Sequence, residues 1–214
     1  MKKSVADIRT DYQKRSLSEK DVQPTPMQQF DSWWKEAVES ELEEVNAMTL
    51  ATASADGVPS ARIMLLKDYD EKGFVFFTNY NSFKGLTLEE NPRAALVFFW
   101  KELERQVRVT GLVEKVAAAE SDEYFNSRPE GSRIGAWVSP QSQVIENRDY
   151  LIEREKSVKE AFSSKPVTRP PHWGGFRVKP VIIEFWQGGA SRLHDRIQYT
   201  LQEDNSWLIE RLAP

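Results

Sequence analysis

The sequence predicts a mainly β fold with helices flanking an antiparallel, barrel-like core. Three observations carry that expectation. Between residues 47 and 117 apolar side chains recur in short runs of two-residue alternation, broken by turn signals such as Asp56-Gly57. Three- and four-residue apolar spacing is confined to shorter stretches around that region. No internal repeat or low-complexity tract interrupts the pattern, so the strands are expected to share one core.

Residues 1–26 are highly charged, lack sustained apolar periodicity and end in Pro24-Thr25-Pro26, the pattern of a flexible arm with room for one short helix. From 27 to 45, Phe30, Trp33, Trp34, Ala37, Val38 and Leu42 form an apolar stripe, predicting a helix packed on a sheet. Strands follow at 47–54, 60–67 and 74–78, linked by turns at 56–57 and 70–73 into an antiparallel meander. A short helix over 82–91 stops before Pro92, and strands return at 94–100 and 105–117, the latter alternating through Val107, Val109 and Gly111. The core thus has about six strands. Residues 118–126 read as helix, 128–135 as a segment broken by Pro129 and Gly131, and 147–162 as a strongly amphipathic helix. A Pro-rich linker over 163–173 leads to two last strands, 176–186 and 197–212.

With 214 residues, 40% of them hydrophobic, the chain suits a single domain over 27–214 preceded by the arm. A net charge of -4 argues against nucleic acid or an acidic membrane as partner, so any phosphate site must be local. The absence of cysteine excludes disulfides and thiolate chemistry, and the two histidines lack carboxylates at ligand spacing, so no metal site is expected. Redox chemistry would need a borrowed cofactor. No apolar segment follows the basic N-terminus, and the longest apolar run, 94–100, is too short to span a bilayer, so a soluble, cytoplasmic protein is expected.

Several groups of residues have the makings of anion sites. Arg192, His194 and Arg196 recur every second residue beside Trp186 and Gln187, which on a strand projects all three from one face; a solvated strand is the plainer alternative. Arg62 and Lys67 bracket the apolar Ile63-Met64-Leu65-Leu66, about 17 Å apart along a strand and on opposite faces, so they serve two anions or merely snorkel. Thr78, Ser82 and Lys84 enter a helix where hydroxyls, N–H groups and an ammonium can cradle a phosphate, although Ser82 also suits an ordinary N-cap. Tyr124 and Arg128 share a helical face and Ser132 follows Pro129, so three donors can converge, although an arginine there also suits the helix dipole. Gln106, Gln141 and Ser142 offer donors and acceptors to the edge of a flavin or pyrimidine ring, or to water.

Together these segments resemble the pyridoxine (pyridoxamine) 5'-phosphate oxidase family of FMN-binding split-barrel flavoenzymes. The resemblance runs in order from residue 8 to 214. It includes RIMLLK at 62–67, FTN at 77–79, ERQV at 104–107, YFNSRP at 124–129, IGAWVSPQS at 134–142, WGGFRV at 173–178, and the terminal FWQG, RLHDR and RLAP. It implies a split β-barrel with an antiparallel Greek-key-like core, FMN as cofactor, and a homodimer sharing the FMN site, with 173–214 as dimerisation and active-site segment. By the same resemblance, Arg62 and Lys84 hold the FMN phosphate, and Ile63, Met64, Leu65, Leu66, Lys67, Phe77, Thr78, Gln141 and Ser142 complete its contacts. Gln106, Trp186 and Arg196 surround the flavin and ribityl chain, the Arg196 charge favouring the reduced state.

Lys67, Tyr124, Arg128 and Ser132 resemble the pocket for the substrate's phosphate, while Arg192, Leu193 and His194 match the groups holding its pyridine ring. Arg9 and Tyr12 match arm positions that cover the active site as a lid. The implied reaction oxidises pyridoxine 5'-phosphate or pyridoxamine 5'-phosphate to pyridoxal 5'-phosphate with O2, releasing hydrogen peroxide, and ammonia from the amine. His194 and Arg192 are both candidates for a general base, and neither is assigned. One departure stands out: where the family has an Arg-Lys pair after the serine, this chain has Phe83-Lys84, which predicts weaker FMN retention. Two alternatives differ in what they need. A flavin reductase-like split barrel would not need Tyr124, Arg128, Ser132, Arg192 and His194, and a non-catalytic carrier of vitamin B6 phosphates would not need Gln106, Trp186 and Arg196.

Overall fold

The computed structural model describes Ser4 and residues 11–214. Residues 11–25 carry neither helix nor strand, and run over the core with Leu17 buried. Helix α1 (Pro26–Glu39) starts where Thr25 accepts the Gln28 N–H and Pro26 fills the first turn, and it buries Phe30, Trp33 and Ala37. It ends short of the expected residue 45. The Ser40 N–H closes the last turn, and Glu41 and Glu44 take positive φ, so the chain turns away before Leu42 can extend the stripe.

The strands are β1 (Ala47–Ala53), β2 (Pro59–Leu65), β3 (Asp68–Asp70), β4 (Gly73–Asn79), β5 (Arg93–Trp100), β6 (Arg105–Lys115), β7 (Trp173–Gln187), β8 (Asp195–Leu201) and β9 (Trp207–Arg211). They form one nine-stranded sheet in the order β2-β1-β5-β6-β7-β4-β3, with β8 and β9 added beside β7. Every pairing is antiparallel. The fold class is therefore as expected, a mainly β curled sheet with flanking helices, but its wiring is not a meander. β1 and β2 form a hairpin, after which β4 crosses away to pair with β7, and β1 instead takes β5 as its second neighbour.

β7 is the spine. Its first half pairs with β4 and its last six residues pair with β8, while β6 covers the other edge from Phe176 to Gln187, with a bulge between Thr110 and Gly111. A strand that changes partner along one edge forces the sheet to curl, which makes the half-barrel. The concave side is filled by Phe30, Phe74, Phe98, Trp100, Trp33, Phe185 and Tyr199, which meet edge-to-face or tilted.

Helix α2 (Phe83–Glu90) follows β4, and α3 (Ala118–Ser127), α4 (Glu130–Val138) and α5 (Asp149–Ala161) lie between β6 and β7. Phe125, Ile134, Val138, Val167 and Trp173 form a second, smaller core beneath α3 and α4. Three expectations fail here. Residues 130–138 are continuous helix, because Pro129 stands just before the first turn and Gly131 is exposed in it. α5 buries no residue fully, so its stripe is shallow. The last stretch is two strands, split by a turn in which Asn205 takes φ 64°.

Candidate active site

Arg62 on β2 donates to Leu50 O (3.2 Å), Thr52 Oγ1 (2.9 Å) and Ser60 Oγ (2.7 Å), all neutral acceptors. Lys84, in the first turn of α2 and only 8% exposed, donates to Thr78 Oγ1 (3.3 Å) and Ser82 Oγ (3.5 Å). Burial lowers the pKa of both groups, and the Arg62 charge lowers that of Lys84 further. Two cations close enough to disfavour one another, bonded to hydroxyls and a carbonyl and to no carboxylate among the described residues, make a site for an anion. Ser82 also caps α2 by accepting the Gly85 N–H (3.3 Å), so its two readings coexist. Thr78 Oγ1 lies 3.4 Å from Gln141 Oε1, bringing the 141–142 loop to the same place, with Ser142 exposed at φ 72°.

A cavity of about 520 Å³ opens beside these groups, lined by Ile63, Met64, Leu65, Lys67, Phe77, Thr78, Tyr124, Arg128, Ser132, Gln141 and Trp173 among others. Leu66, alternating away, is buried in the main core. The cavity has an aromatic wall. Phe77 stacks on Tyr124 (4.0 Å, 20°) and on Trp173 (5.6 Å, 12°), and the Arg128 guanidinium lies 4.5 Å above the Trp173 ring. Burial lowers the Arg128 pKa against the opposing influence of Tyr124, and its Nη1 is buried without a hydrogen-bond partner among the described residues, as is Arg133 Nε. An unpartnered buried guanidinium N–H is costly unless an acceptor arrives. Lys67 and Ser132 stand exposed at the same cavity.

The remaining predicted residues gather elsewhere. Gln106, Trp186 and Arg196 lie in register across β6, β7 and β8, forming one row. Arg196 is held by Glu184 through Nε (2.8 Å) and Nη2 (3.1 Å), which raises its pKa, and Glu184 also accepts from Arg108 (3.0 Å). The His194 ring lies 4.6 Å from Trp186, and its Nδ1 accepts the Gly189 N–H (3.1 Å). Tyr12 packs against both rings. Arg9 lies outside the described residues.

The expected strand face of Arg192, His194 and Arg196 is not formed. Residues 190–192 make a 3-10 turn, with Ser191 and Arg192 at φ 55° and 64°, and β8 begins only at Asp195. Arg192 and Leu193 are therefore exposed on a turn, and Arg196 alone sits on the strand. None of Gln106, Trp186, Arg192, His194 and Arg196 lines the cavity. Trp173, which does, is 13 residues from Trp186 along β7, a contour of about 43 Å at roughly 3.3 Å per residue.

Sequence reasoning missed Glu184, Trp173 and the orphaned Arg133. The signal for Glu184 was present, as a single carboxylate in the apolar stretch 181–186, two residues before Trp186 and hence on its face.

The family profile described as pyridoxamine 5'-phosphate oxidase matches residues 34–156, and that described as pyridoxine 5'-phosphate oxidase C-terminal dimerisation region matches 173–214. The chain belongs to the pyridoxamine 5'-phosphate oxidase family. Two members named pyridoxine/pyridoxamine 5'-phosphate oxidase are close relatives. One from a Nostoc species is 57% identical over the whole of both chains, and one from Ralstonia nicotianae is 59% identical over 99% of each. Among solved structures, PhzG from Burkholderia lata in complex with tetrahydrophenazine-1-carboxylic acid superposes with a TM-score of 0.85 at 28% identity, over 91% of this chain and 95% of that one. An FMN-binding, family-related protein from Nostoc punctiforme shares the fold, with a TM-score of 0.71 at 16% identity over 90% and 100% of the two chains. The curled sheet is thus the family's split barrel, and the spine strand β7 opens its dimerisation region. Among the described residues no helix is long and apolar enough to cross a membrane.

Proposed function

We propose that this chain oxidises pyridoxine 5'-phosphate and pyridoxamine 5'-phosphate to pyridoxal 5'-phosphate, using FMN and O2. The alcohol plus O2 gives the aldehyde and hydrogen peroxide; the amine plus O2 and water gives the aldehyde, ammonia and hydrogen peroxide. The observation that carries the reading is a pair of separate cationic sites, Arg62 with Lys84 and Arg128 with Lys67, the latter opening on one cavity with an aromatic wall and no carboxylate in its lining, although Lys67 also borders an adjoining hollow with Asp68, Glu120 and Glu123. Two phosphates, one on the cofactor and one on the substrate, satisfy both.

The residues present fit FMN. Arg62 and Lys84 have unneutralised charge for its phosphate, and Thr78, Gln141 and Ser142 supply hydroxyl and amide groups alongside. Ile63, Met64, Leu65 and Phe77 offer an apolar surface to a ring system. The bound flavin supplies a two-electron acceptor for the hydride leaving C4' and is reoxidised by O2. Lys67, Tyr124, Arg128 and Ser132 clamp the substrate's phosphate, with Arg128 Nη1 gaining the acceptor it lacks. That clamp orients C4', and orientation is the protein's main contribution to rate.

Gln106, Trp186 and Arg196 stand too far along β7 to reach a ligand in their own protomer's cavity. In a homodimer with FMN at the subunit interface, Gln106, Trp186 and Arg196 of the partner subunit complete each site. Arg192, Leu193 and His194 hold the pyridine ring there, and Arg9 and Tyr12 cover it as part of an N-terminal lid over the single domain 27–214. A phosphate substrate is favoured over a tetrahydrophenazine carboxylate of the kind bound by PhzG, because the second cation site has donors enough for three oxygens.

The test is the visible spectrum of the purified protein before and after pyridoxine 5'-phosphate is added without oxygen. Flavin bands that bleach on addition support the reading. Bands that persist would sink the substrate assignment, and no bands after FMN is supplied would sink the cofactor.

A further inference from the structure

Glu104 has a task that the ligand contacts above do not explain. It follows a 3-10 turn over 101–103 and adopts a left-handed backbone (φ 55°), uncommon for glutamate. Its carbonyl accepts the Gly188 N–H (2.7 Å) and Gln187 Nε2 (3.2 Å), tying the start of β6 to the end of β7. The residue is 7% exposed, and no salt bridge to its carboxylate exists among the described residues. Instead, Oε2 accepts the backbone N–H groups of Gln13 (2.9 Å) and Lys14 (3.0 Å). Hydrogen bonds to a charged acceptor are the strong ones, and two successive amides on one oxygen fix the chain in position and direction.

The adjacent residue is Tyr12, which stands edge-on to Trp186 (5.7 Å, 89°) and against His194 (6.0 Å, 62°). Gly188 leaves the space for it. A Cβ there would lie 2.7 Å from Tyr12 Cβ and Cγ, and 3.1 Å from Glu104 Cβ. Further along, Asp195 accepts the Leu17 N–H (2.9 Å), so a second carboxylate holds the same segment downstream of Tyr12.

We infer that Glu104 is a positioning residue for the oxidation: its buried carboxylate fixes Gln13 and Lys14 so that Tyr12 closes against Trp186 and His194, and Gly188 is the slot that admits the ring. The inference rests on the reading of Trp186 and His194 as site residues. Its force comes from a geometry that packing alone does not demand, since an apolar side chain would fill the same volume without holding two amides.

The experiment uses the FMN-loaded dimer and the variants Glu104→Ala, Glu104→Gln, Gly188→Ala, Tyr12→Ala and Glu104→Ala/Tyr12→Ala. Glu104→Ala should raise KM for pyridoxine 5'-phosphate by at least about tenfold, the factor for losing even one of its two bonds to the charged acceptor, with a much smaller change in kcat. Amide exchange at Gln13 and Lys14 should accelerate, while the flavin spectrum stays unchanged. Glu104→Gln, which keeps an oxygen acceptor, should recover most of the loss, and Gly188→Ala should reproduce it from the other side. In the Tyr12→Ala background, Glu104→Ala should add nothing, because the effect runs through Tyr12. Additive losses, or unchanged exchange at the two amides, would overturn the inference. A wild-type protein that holds FMN but leaves the substrate unoxidised refutes the reaction instead, and the exchange rates still decide the latch.

Discussion

Replacing Phe83 by arginine should tighten FMN binding while weakening the empty protein. Phe83 is the first residue of α2, between the capping Ser82 and the buried Lys84, and is 57% exposed. An arginine there adds a third cation beside Arg62 and Lys84. One charge-assisted hydrogen bond contributes about 1.5–3 kcal/mol, and the exposure of the position puts the gain near the lower figure. That corresponds to a Kd smaller by about tenfold. Without ligand the signs reverse. A cation in the first helical turn opposes the helix dipole by about 0.3–1 kcal/mol, and Arg62 and Lys84 already repel one another. A domain of this size should then lose about 1–4 °C of Tm.

The assay is quenching of FMN fluorescence titrated into the apoprotein, with Phe83→Gln separating the gain of charge from the loss of an exposed aromatic ring. Thermal melts of the apo forms give the second arm. An arginine variant that binds FMN no more tightly than the wild type and Phe83→Gln would refute the reasoning, and would mean that Arg62, Lys84 and the α2 N-terminus already saturate the phosphate.

Three further outcomes follow from the same geometry. Arg128→Met should raise KM for the phosphorylated substrate about 10–150-fold, the loss of one bond to a charged group, yet leave Tm unchanged or higher, because a buried, unpartnered Nη1 is removed; steady-state kinetics and melting curves check both. Mixing a Lys84→Met homodimer with a Trp186→Ala homodimer should restore activity as subunits exchange, since one site of each mixed dimer is then intact; no recovery would place the whole site in one protomer. FMN affinity should be full below the pKa of Lys84 in the free protein and should decline above it, because phosphate binds the charged form and the complex holds the extra proton. Burial and Arg62 put that pKa below the ordinary 10.5, so the decline in titrations carried upward from neutral pH should begin early, and Lys84→Arg should abolish it.

What the sequence disclosed depended on how local each cause was. β6 was legible because its residues alternate between buried and exposed over its length. β7 was less so, since its first half is buried on both faces yet opens Trp-Gly-Gly-Phe-Arg-Val, with two glycines and a cation instead of an apolar alternation, which hid its true start at Trp173. The pairing of β1 with β5 and of β4 with β7 left no local trace. Burial of Leu50, Leu96, Phe74 and Phe176 in one core decides it, whereas the turn chemistry between consecutive strands suggested nearest-neighbour pairing. Within the candidate site, Tyr124 and Arg128 could be placed together because α3 runs up to Arg128, its C-cap, and so still brings these four-residue neighbours to one cavity. Arg192 and His194 could not be placed, because two consecutive positive φ values break a two-residue repeat without altering its spelling.

The Arg196–Glu184 pair changes how charge reaches the proposed flavin. Read from sequence, Arg196 was a free cation two residues from His194. In the structure Glu184, 5% exposed, takes two of its nitrogens and one from Arg108. Two guanidinium groups on one carboxylate leave a single net positive charge, spread over a rigid row that also presents Gln106 and Trp186. Arg196 is consequently fixed in orientation more than it is bare, since its remaining Nη1 also donates to Ala213 O (2.8 Å). Placing that arginine is therefore the task of the buried glutamate, and Glu184→Gln would weaken its hold while increasing the local positive charge. Any shift in flavin potential in that variant would separate the two contributions, because charge alone predicts easier reduction and misplacement alone predicts weaker binding.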